Sequence, residues 1–488
     1  MEYQMMQKDK TEKLVGLRRY LRENGVEARV AVPVQKQVER RLSERTRLDE
    51  SEVFALRYLS TALRAQLRFE IQRPALTTYP IYRLWASLCP KWMSTTCMRA
   101  VSFVTLPAKD ELFIPGTTAT CAHTLVNGEI LYIQKPGYSM VMNEQLAPVE
   151  AGDWLCEAAL WVEWIRVGKA EAVESCDLLA IDAQAMLSSI DSEVVIREIA
   201  TEYCNQFHKR VTSACPPHAP YPNDLSVPFT GYCDIVVSMD TDIQVVIGRE
   251  AMKRLGERGR PSAKALERLS REVELSKSLV VTMDAKTTIR LVSLVVLRAV
   301  DESGNVFAQL AKFEGGRKKS RCQLPGLKQE GDELVSETLE RLLSTRLPPL
   351  QGVLEFSEVT REQYETESEG YGVHTRYLRS ICSARLNDSG SFLAADCACF
   401  VRMTSSSAAS HDVDHPSLDS AAQRILRSVQ TTQVFLLPKG DSKGAIYAWI
   451  TAEAMDDLST PAGERALAAW MNKVIIPGVE EARSPGGR

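Results

Sequence analysis

A carboxylate and a guanidinium group lie close together in one stretch of the sequence. Glu157 follows a turn at Gly152-Asp153, and Arg166 comes nine residues after Glu157, with a short apolar segment between them. Glutamate can accept a hydrogen bond from a ribose hydroxyl, and arginine offers a fixed fork of donors to a phosphate. The start of a short helix at Glu157 would add N–H groups and a partial positive charge. This combination predicts a site for a sugar phosphate.

The elements that must position these residues are predicted to be short strands. Residues 103–182 alternate short apolar runs with Gly, Pro and Asn turns, which is typical of an antiparallel β-roll. The clearest predicted strands are residues 103–104, 112–114, 130–133, 140–142 and 176–181. Apolar residues at a spacing of four then predict a helix over 194–211.

Within this stretch the sequence resembles a cyclic nucleotide-binding domain. Leu155-Cys156-Glu157 lies where that family has the Phe-Gly-Glu of its phosphate cassette, and Arg166 lies where it has its phosphate-binding arginine. Gly128 matches a glycine of the β-roll. The resemblance implies cAMP or cGMP as a regulatory ligand. It implies a binding site made of Cys156, Glu157, Ala158, Arg166 and Val167.

Two residues depart from the family pattern at this site. Cys156 replaces the family's glycine, so a side chain stands where the ligand should approach the backbone closely. Val167 replaces a small hydroxyl residue and cannot donate a side-chain hydrogen bond. Trp161 and Trp164 either pack in the core or fill the pocket in place of a ligand. The 194–211 helix is either a lid that closes over the nucleotide or a permanently packed helix.

The N-terminal region is predicted to be helical. Apolar spacing predicts helices over residues 10–24 and 32–43. A third packing helix is predicted to begin after Asp49-Glu50-Ser51-Glu52 and to end at Pro74, and its apolar residues are Val53, Leu56, Leu59, Leu63, Leu67 and Ile71. Their order resembles the C-linker of voltage-gated and cyclic-nucleotide-gated channels. The resemblance implies a homo-tetramer formed through the 10–72 helices, or a channel membrane core as the partner.

Composition limits the classes of function. The chain has 488 residues, a net charge of −4 and 12 cysteines without a repeating framework. Such a chain is an ordinary globular protein with reduced thiols, and no global charge favours nucleic acid as a partner. The N-terminus lacks an apolar leader, and no apolar run reaches the length of a membrane span. We therefore expect the cytoplasmic face of a membrane if the protein serves a channel, and the cytoplasm if it is freestanding.

A second domain is predicted after a proline-rich stretch at 213–232 and a charged, solvated helix at 249–274. Strands at 279–283, 291–300 and 306–310, a Leu324-Pro325-Gly326 loop and a helix over 332–343 resemble the core of a Nudix hydrolase. The acidic motif of that family fails, because its first acid is Asp332, its Arg-Glu pair is reversed at Glu340-Arg341, and Ser344-Thr345 replaces its acidic pair. An inactive Nudix-like or unrelated α+β module is the better interpretation.

Other chemistry finds little support in the sequence. Cys397 and Cys399 precede His411 and His415, but the cysteine pair is one residue too close for the usual zinc finger. No Ser-His-Asp or Cys-His grouping, phosphate-binding glycine loop or dinucleotide motif is present. We therefore predict that the protein is not an enzyme and holds no metal.

These observations predict an α+β protein with four parts: a helical C-linker-like region (1–85), a cyclic nucleotide-binding-like β-roll with a lid helix (86–213), a linker with a charged helix (214–275) and an α+β domain (276–488). The function implied by the resemblance is the cytosolic regulatory region of a voltage-gated or cyclic-nucleotide-gated cation channel, of the potassium-channel kind. A freestanding cyclic-nucleotide-responsive adaptor is the alternative, and a Nudix-type hydrolase is a weaker one.

Overall fold

The computed structural model describes residues 2–42, 50, 53–257, 262–284, 286–314, 317–330, 332–367, 373–387, 401–403, 419–429, 434–438 and 443–473. The four residues of the zinc hypothesis, Cys397, Cys399, His411 and His415, lie outside this part of the chain. Contacts divide the chain into two units: residues 1–78, 89–193 and 223–226 form the first, and residues 79–88, 194–222 and 227–488 form the second. Among the described residues no helix is both long and apolar enough to cross a membrane.

Helices make up the N-terminal part of the chain. Their bounds are α1 (Glu2–Glu23), α2 (Ala28–Arg41), a 3-10 turn (Phe54–Tyr58), α3 (Thr61–Leu76), α4 (Pro80–Leu88) and α5 (Pro90–Ala100). The first two predicted helices are confirmed, and α4 groups with the second unit.

The third predicted helix differs from the structure in its start, its end and its buried face, because residues 54–58 form a separate 3-10 turn and α3 begins at Thr61. Ser60 caps α3 by accepting from the Leu63 N–H, and the helix runs through Pro74 to Leu76. A proline in the last turn removes only one backbone hydrogen bond, which packing can offset. The residues that α3 buries are Phe69, Gln72 and Leu76. The predicted packing residues Leu63, Leu67 and Ile71 are exposed instead, so that assignment was wrong.

The predicted antiparallel β-roll is confirmed in the first unit. Two four-stranded antiparallel sheets have the strand orders β1-β8-β3-β6 and β2-β7-β4-β5. The strands are β1 (Val101–Leu106), β2 (Glu111–Phe113), β3 (Cys121–Asn127), β4 (Ile130–Gln134), β5 (Gln145–Val149), β6 (Trp154–Leu155), β7 (Gly168–Ala172) and β8 (Cys176–Asp182). Inward-facing residues of both sheets are buried, among them Leu125, Ile130, Ala170 and Leu178. The helices α6 (Ala183–Ile190) and α7 (Val194–Ser213) follow.

One predicted strand of the roll is wrong. Residues 140–142 form bends, and Met140 and Met142 are 73% and 92% exposed. The strand lies three residues later, at β5, where Val149 is buried. An apolar composition alone does not determine a strand, because strand formation also depends on packing against neighbouring strands.

The second unit contains a ten-stranded mixed sheet, in which β10 and β15 run parallel and the other pairs are antiparallel. Its strands are β9 (Leu279–Thr282), β10 (Thr288–Val300), β11 (Val306–Glu314), β12 (Arg317–Gln323), β13 (Gly326–Lys328), β14 (Leu354–Glu367), β15 (His374–Leu386), β16 (Val401–Met403), β17 (Val434–Pro438) and β18 (Lys443–Ile450). Its helices, besides α4 and α7, are α8 (Tyr232–Val236), α9 (Thr241–Glu257), α10 (Ala263–Glu274), α11 (Val335–Arg346), α12 (Ser420–Val429), α13 (Ala452–Leu458) and α14 (Pro461–Lys473).

Helices cover both faces of this sheet. Phe307 packs in one core with Leu342 of α11, and its neighbour Ala308 packs in another with Leu426 of α12 and Trp470 of α14. This alternation along β11 follows from the two-residue repeat of a strand. The α+β fold class predicted from the sequence is therefore confirmed.

Residues 249–274, for which a charged helix with an interruption at 256–261 is predicted, belong to the two helices α9 and α10. Both α9 and α10 bury an apolar stripe, for which Ala251, Leu255, Leu269 and Val273 are examples. Their side chains form a core with Val280 of β9. A fully solvated helix was therefore the wrong interpretation of the interleaved charges.

Candidate functional site

The cassette turn adopts a conformation that a glycine would favour. Cys156 follows β6 with φ 54° and ψ 35°, in the left-handed region, and begins a 3-10 turn over Glu157–Leu160. A residue with a Cβ pays about 1–2 kcal/mol there. The position thus keeps the backbone geometry that a glycine supplies, although this chain has a fully buried cysteine.

A carboxylate from a distant part of the chain lies in the pocket of the β-roll. Asp224 is only 2% exposed. Its Oδ2 accepts hydrogen bonds from the backbone N–H groups of Val167 (3.0 Å) and Gly168 (2.8 Å). Its Oδ1 accepts from Nε1 of Trp164 at 2.8 Å. The pocket therefore already holds an anionic group supplied by the protein itself.

Two further contacts tie the same residue to the site. The Tyr132 hydroxyl donates to Asp224 Oδ2 at 2.8 Å. The Cys156 N–H donates to the Asp224 carbonyl oxygen at 2.6 Å, and the Cys156 thiol lies 3.8 Å from Oδ1. Cys156 and Val167, both predicted to bind ligand, thus bind Asp224 through their backbones.

A local turn presents Asp224 to the pocket. The Asn223 side-chain oxygen accepts from the N–H groups of Leu225 and Ser226, both at 2.9 Å. The Asn223 N–H donates to the Ser226 carbonyl at 2.9 Å, which closes the turn. An asparagine that binds the backbone two residues on is a standard way to form such a turn. Residues 223–226 accordingly belong to the first unit, whereas the chain on either side belongs to the second.

Gly168 makes room for the tyrosine that binds Asp224. A Cβ on Gly168 would lie 2.5 Å from ring atoms of Tyr132, closer than real contacts allow. Gly168 on β7 and Tyr132 on β4 belong to paired strands. The sheet therefore positions two donors to Asp224 at once, the Gly168 N–H and the Tyr132 hydroxyl.

The electrostatics of the pocket follow from burial. Burial raises the pKa of Asp224, and the hydrogen bonds from Trp164, Tyr132, Val167 and Gly168 oppose that rise. Burial, followed by the neighbouring Asp224, raises the pKa of Cys156 to about 12, so its thiol stays protonated. The pKa of Tyr132 is raised for the same two reasons. Both side chains are therefore neutral beside the carboxylate rather than competing anions, and the Tyr132 hydroxyl can donate to it.

Arg166 lies in the site but does not bind Asp224. Its Nη1 donates to Thr117 Oγ1 at 3.0 Å and to the Thr118 carbonyl at 3.1 Å, and its guanidinium lies 4.9 Å from the centre of the Phe113 ring. Its buried Nε has no hydrogen-bond partner among the described residues. Arg166, which was predicted to bind a phosphate, is thus held in place by hydrogen bonds to Thr117 and Thr118 of the roll.

The other predicted site residues lie in the cassette. Glu157 is half-buried in the first turn of the 3-10 segment. Ala158 is buried, and its carbonyl accepts from the Trp161 N–H at 3.0 Å. Of the two tryptophans, Trp164 binds the carboxylate that fills the pocket, while Trp161 is 5% exposed in the core.

A buried histidine lies near this site. His123 on β3 is 8% exposed, and its Nδ1 has no hydrogen-bond partner among the described residues. Burial, and then the positive charge of Arg166, lowers the pKa of His123 to about 4. His123 is therefore neutral at physiological pH, and no sequence motif singled it out.

Asp332 of the hydrolase hypothesis and two neighbouring acids form ion pairs. Lys209 binds Asp332 at 2.9 Å and Glu337 at 3.2 Å. Glu333 pairs with Arg341 at 2.6 Å; burial alone would raise the pKa of Glu333, but its hydrogen bonds, with Arg341 first, lower the pKa below its ordinary value. No group of three or more potential metal ligands occurs in the described ranges. That hypothesis receives no support from these contacts.

Comparisons with known proteins find similarity in structure rather than in sequence. No family model and no curated protein matches the chain. A solved N-terminal domain of a transcriptional regulator from Streptomyces coelicolor A3(2) is 20% identical, with 28% of this chain and 94% of that chain covered and a TM-score of 0.23. A cyclic nucleotide-binding-like protein from Brucella abortus bv. 1 str. 9-941 is 22% identical, with 22% and 97% covered and a TM-score of 0.19. The fold of the first unit is an antiparallel β-roll of two four-stranded sheets.

Proposed function

We propose that the β-roll is a regulatory domain of the cyclic nucleotide-binding kind whose phosphate position is filled by the protein's own Asp224. The observation that carries this proposal is the set of four donors around the Asp224 carboxylate. Backbone N–H groups that converge on one point form a site for an anion, and a carboxylate satisfies them as a phosphate would.

The proposal gives a defined role to the residues that depart from the family pattern. Val167 has no side-chain hydroxyl, but its backbone N–H and the Trp164 indole N–H donate hydrogen bonds to Asp224. The Cys156 side chain occupies space beside the carboxylate. A site adapted to an internal carboxylate does not need the donors that a diffusible nucleotide requires. Under this proposal cAMP or cGMP binds only when Asp224 leaves the pocket.

A calorimetric titration of the full chain with cAMP and with cGMP tests this function. We expect no saturable binding by the wild type, and measurable binding by Asp224→Ala, because that change vacates the donors. Arg166→Ala in the Asp224→Ala background is the control, and it should weaken any binding at least tenfold, equivalent to about 1.4 kcal/mol.

Tight, saturable binding by the wild type that Asp224→Ala leaves unchanged would contradict the proposal. The domain would then bind its nucleotide elsewhere than at the carboxylate. Failure of both proteins to bind would restrict the domain to a structural role with a permanent internal ligand.

Coupling to a cation channel remains a further proposal, which rests on the C-linker resemblance. It includes a homo-tetramer formed through the 10–72 helices and a location at the cytoplasmic face of a membrane. The exposed apolar stripe of Leu63, Leu67 and Ile71 on α3 favours a contact between copies. Sedimentation of the wild type against Leu67→Asp tests it: loss of a tetramer in the variant supports the proposal, and a wild-type monomer contradicts it. The freestanding adaptor is the alternative if no oligomer forms.

A further inference from the structure

A second feature of the molecule is a basic cleft within the second unit. Its volume is about 470 Å³, within the range of small-molecule sites. One acidic side chain, Glu464, lines it. The basic side chains that line it are Lys312, Arg321, Lys328, Arg346 and Arg379. The cleft therefore carries an excess of positive charge.

Among the residues that the structure describes, most of this charge has no carboxylate partner. Arg379 has Glu362 at 3.4 Å. Within the described part of the chain, no ion pair joins a carboxylate to the other four basic residues. Basic residues elsewhere in this unit do find acids, as Arg341 does with Glu333. The cleft is thus distinguished from the ordinary charged surface of the unit.

The strands force like charges together beside the cleft. The register of β11 and β12 places Lys312 directly opposite Lys319. Like charges in directly opposed positions destabilise a sheet. Burial, followed by the positive charges of Arg346 and Lys319, lowers the pKa of Lys312. A bound anion would relieve this repulsion.

The rest of the cleft wall is apolar. Leu294 and Val296 of β10 and Leu327 of β13 line it, and the half-exposed ring of Tyr364 lies at its edge. Apolar walls lower the local dielectric, and so they strengthen the attraction between the basic groups and an anion. They also favour an organic ligand over a simple inorganic ion.

We propose that this cleft binds a small organic molecule that carries two or more phosphate groups. Lysine and arginine are the residues that bind phosphate oxygens, and a single phosphate cannot neutralise four cations that lack a carboxylate partner among the described residues. Inositol polyphosphates and nucleoside polyphosphates share this chemistry. The proposal concerns binding and is independent of the Asp224 pocket, since every residue of the cleft lies in the second unit.

Calorimetric titrations of the full chain with inositol hexakisphosphate, ATP and tripolyphosphate test the proposal. The buffer contains about 0.1 M salt, which screens weak surface attraction. We expect saturable binding of at least one compound by the wild type. The cleft variant Lys312→Met/Arg346→Gln should lose at least tenfold in affinity. The matched control Lys264→Met/Arg298→Gln removes the same charges from exposed positions outside the cleft, and should bind like the wild type.

Folding of the variants must be separated from binding. Arg321→Gln changes an exposed strand residue, so it should keep the wild-type thermal midpoint while still weakening the ligand. Tighter binding of ATP than of tripolyphosphate would identify nucleotides as the ligand source, and preference for the inositol compound would identify cyclitols. Absence of wild-type binding to all three compounds, or equal losses in the cleft and control variants, would overturn the proposal.

Discussion

A buried carboxylate surrounded by hydrogen-bond donors is the residue-scale feature that defines the β-roll. Asp224 is 2% exposed, yet four donors reach its two oxygens. A buried charge without such partners would cost several kcal/mol. The buried donors therefore need the carboxylate as an acceptor, and the buried carboxylate needs the donors.

Neutralising this carboxylate should destabilise the protein. An asparagine has a single acceptor oxygen, so in Asp224→Asn at least one donor loses its partner and the amide N–H₂ faces another. We expect the free energy of unfolding to fall by about 2–4 kcal/mol, measured by urea denaturation. Glu163→Gln, an exposed change in the same cassette, is the control and should cost less than about 0.5 kcal/mol. Equal, small effects of both changes would contradict the structural role of Asp224.

His123 should make the stability of the roll sensitive to acid. Its pKa is about 4 in the fold against an ordinary value of 6.5, because burial and Arg166 disfavour the protonated form. Above about pH 6.5 His123 is neutral in both the folded and the unfolded protein and does not affect stability. As the pH falls from 6.5 towards 4 the unfolded protein takes up the proton first, so the free energy of unfolding falls by up to about 3 kcal/mol.

Urea denaturation between pH 7 and 4 measures this effect. His123→Gln should flatten that part of the pH profile, whereas His208→Gln, at an exposed position, should not. An unchanged profile in His123→Gln would show that other groups account for the acid sensitivity.

The sequence pointed to the cassette but not to Asp224. The structure brings Cys156 and Val167 to Asp224 through their backbones, and their role in binding a ligand stays a prediction. Asp224 lies 60 residues after Trp164, in a proline-rich stretch predicted to be a linker. An asparagine before the aspartate signals a turn, but it does not reveal what the turn contacts. A contact between segments so far apart depends on the whole fold.

At the scale of elements, pairing of β4 with β7 determines the pocket. Gly168→Ala would place a methyl group against the Tyr132 ring and push the hydroxyl away from Asp224. We expect a loss of about 1–3 kcal/mol in unfolding free energy. Gly137→Ala, where an added methyl group meets nothing, should be nearly neutral. Comparable effects of the two changes would exclude this packing constraint.

Helices and strands were predictable where apolar residues recur at regular spacing. They were less predictable where tertiary packing decides which residues are buried. Strands β10 and β11 were predicted from their apolar runs, and the helix at 194–211 was predicted from its apolar spacing. The bends at 140–142 were not predicted, because apolar methionines there remain exposed. The buried face of α3 was also misjudged, since two sets of apolar residues compete for the core and only tertiary packing selects Phe69 and Leu76.

On the scale of the whole molecule, the protein has an internal anion in one unit and a cleft open to external anions in the other. The ionic strength should affect polyphosphate binding to the cleft much more than the stability contributed by Asp224. Raising the ionic strength tenfold should weaken polyphosphate binding to the cleft by more than tenfold, because the cleft is open to solvent. The stability lost in Asp224→Asn should stay within about 0.5 kcal/mol of its low-salt value, because buried charges are screened much less.

Parallel denaturation and titration series at low and high salt check this prediction. A polyphosphate affinity that ignores salt would argue against a basic cleft. A cost of Asp224→Asn that vanishes at high salt would argue that the carboxylate is reached by solvent.

The turn at 223–226 gives the pocket an intramolecular competitor, so its effective concentration decides what a diffusible ligand can do. Each tenfold excess of it over the intrinsic dissociation constant weakens a soluble competitor tenfold, about 1.4 kcal/mol. Under the proposed function, the chain between Asp182 and Asn223 therefore sets the concentration of ligand that is needed to displace Asp224. Its backbone freedom is restricted by Pro216, Pro217, Pro220 and Pro222. Lengthening or stiffening that chain would retune the sensitivity of the domain without altering a single residue that lines its pocket.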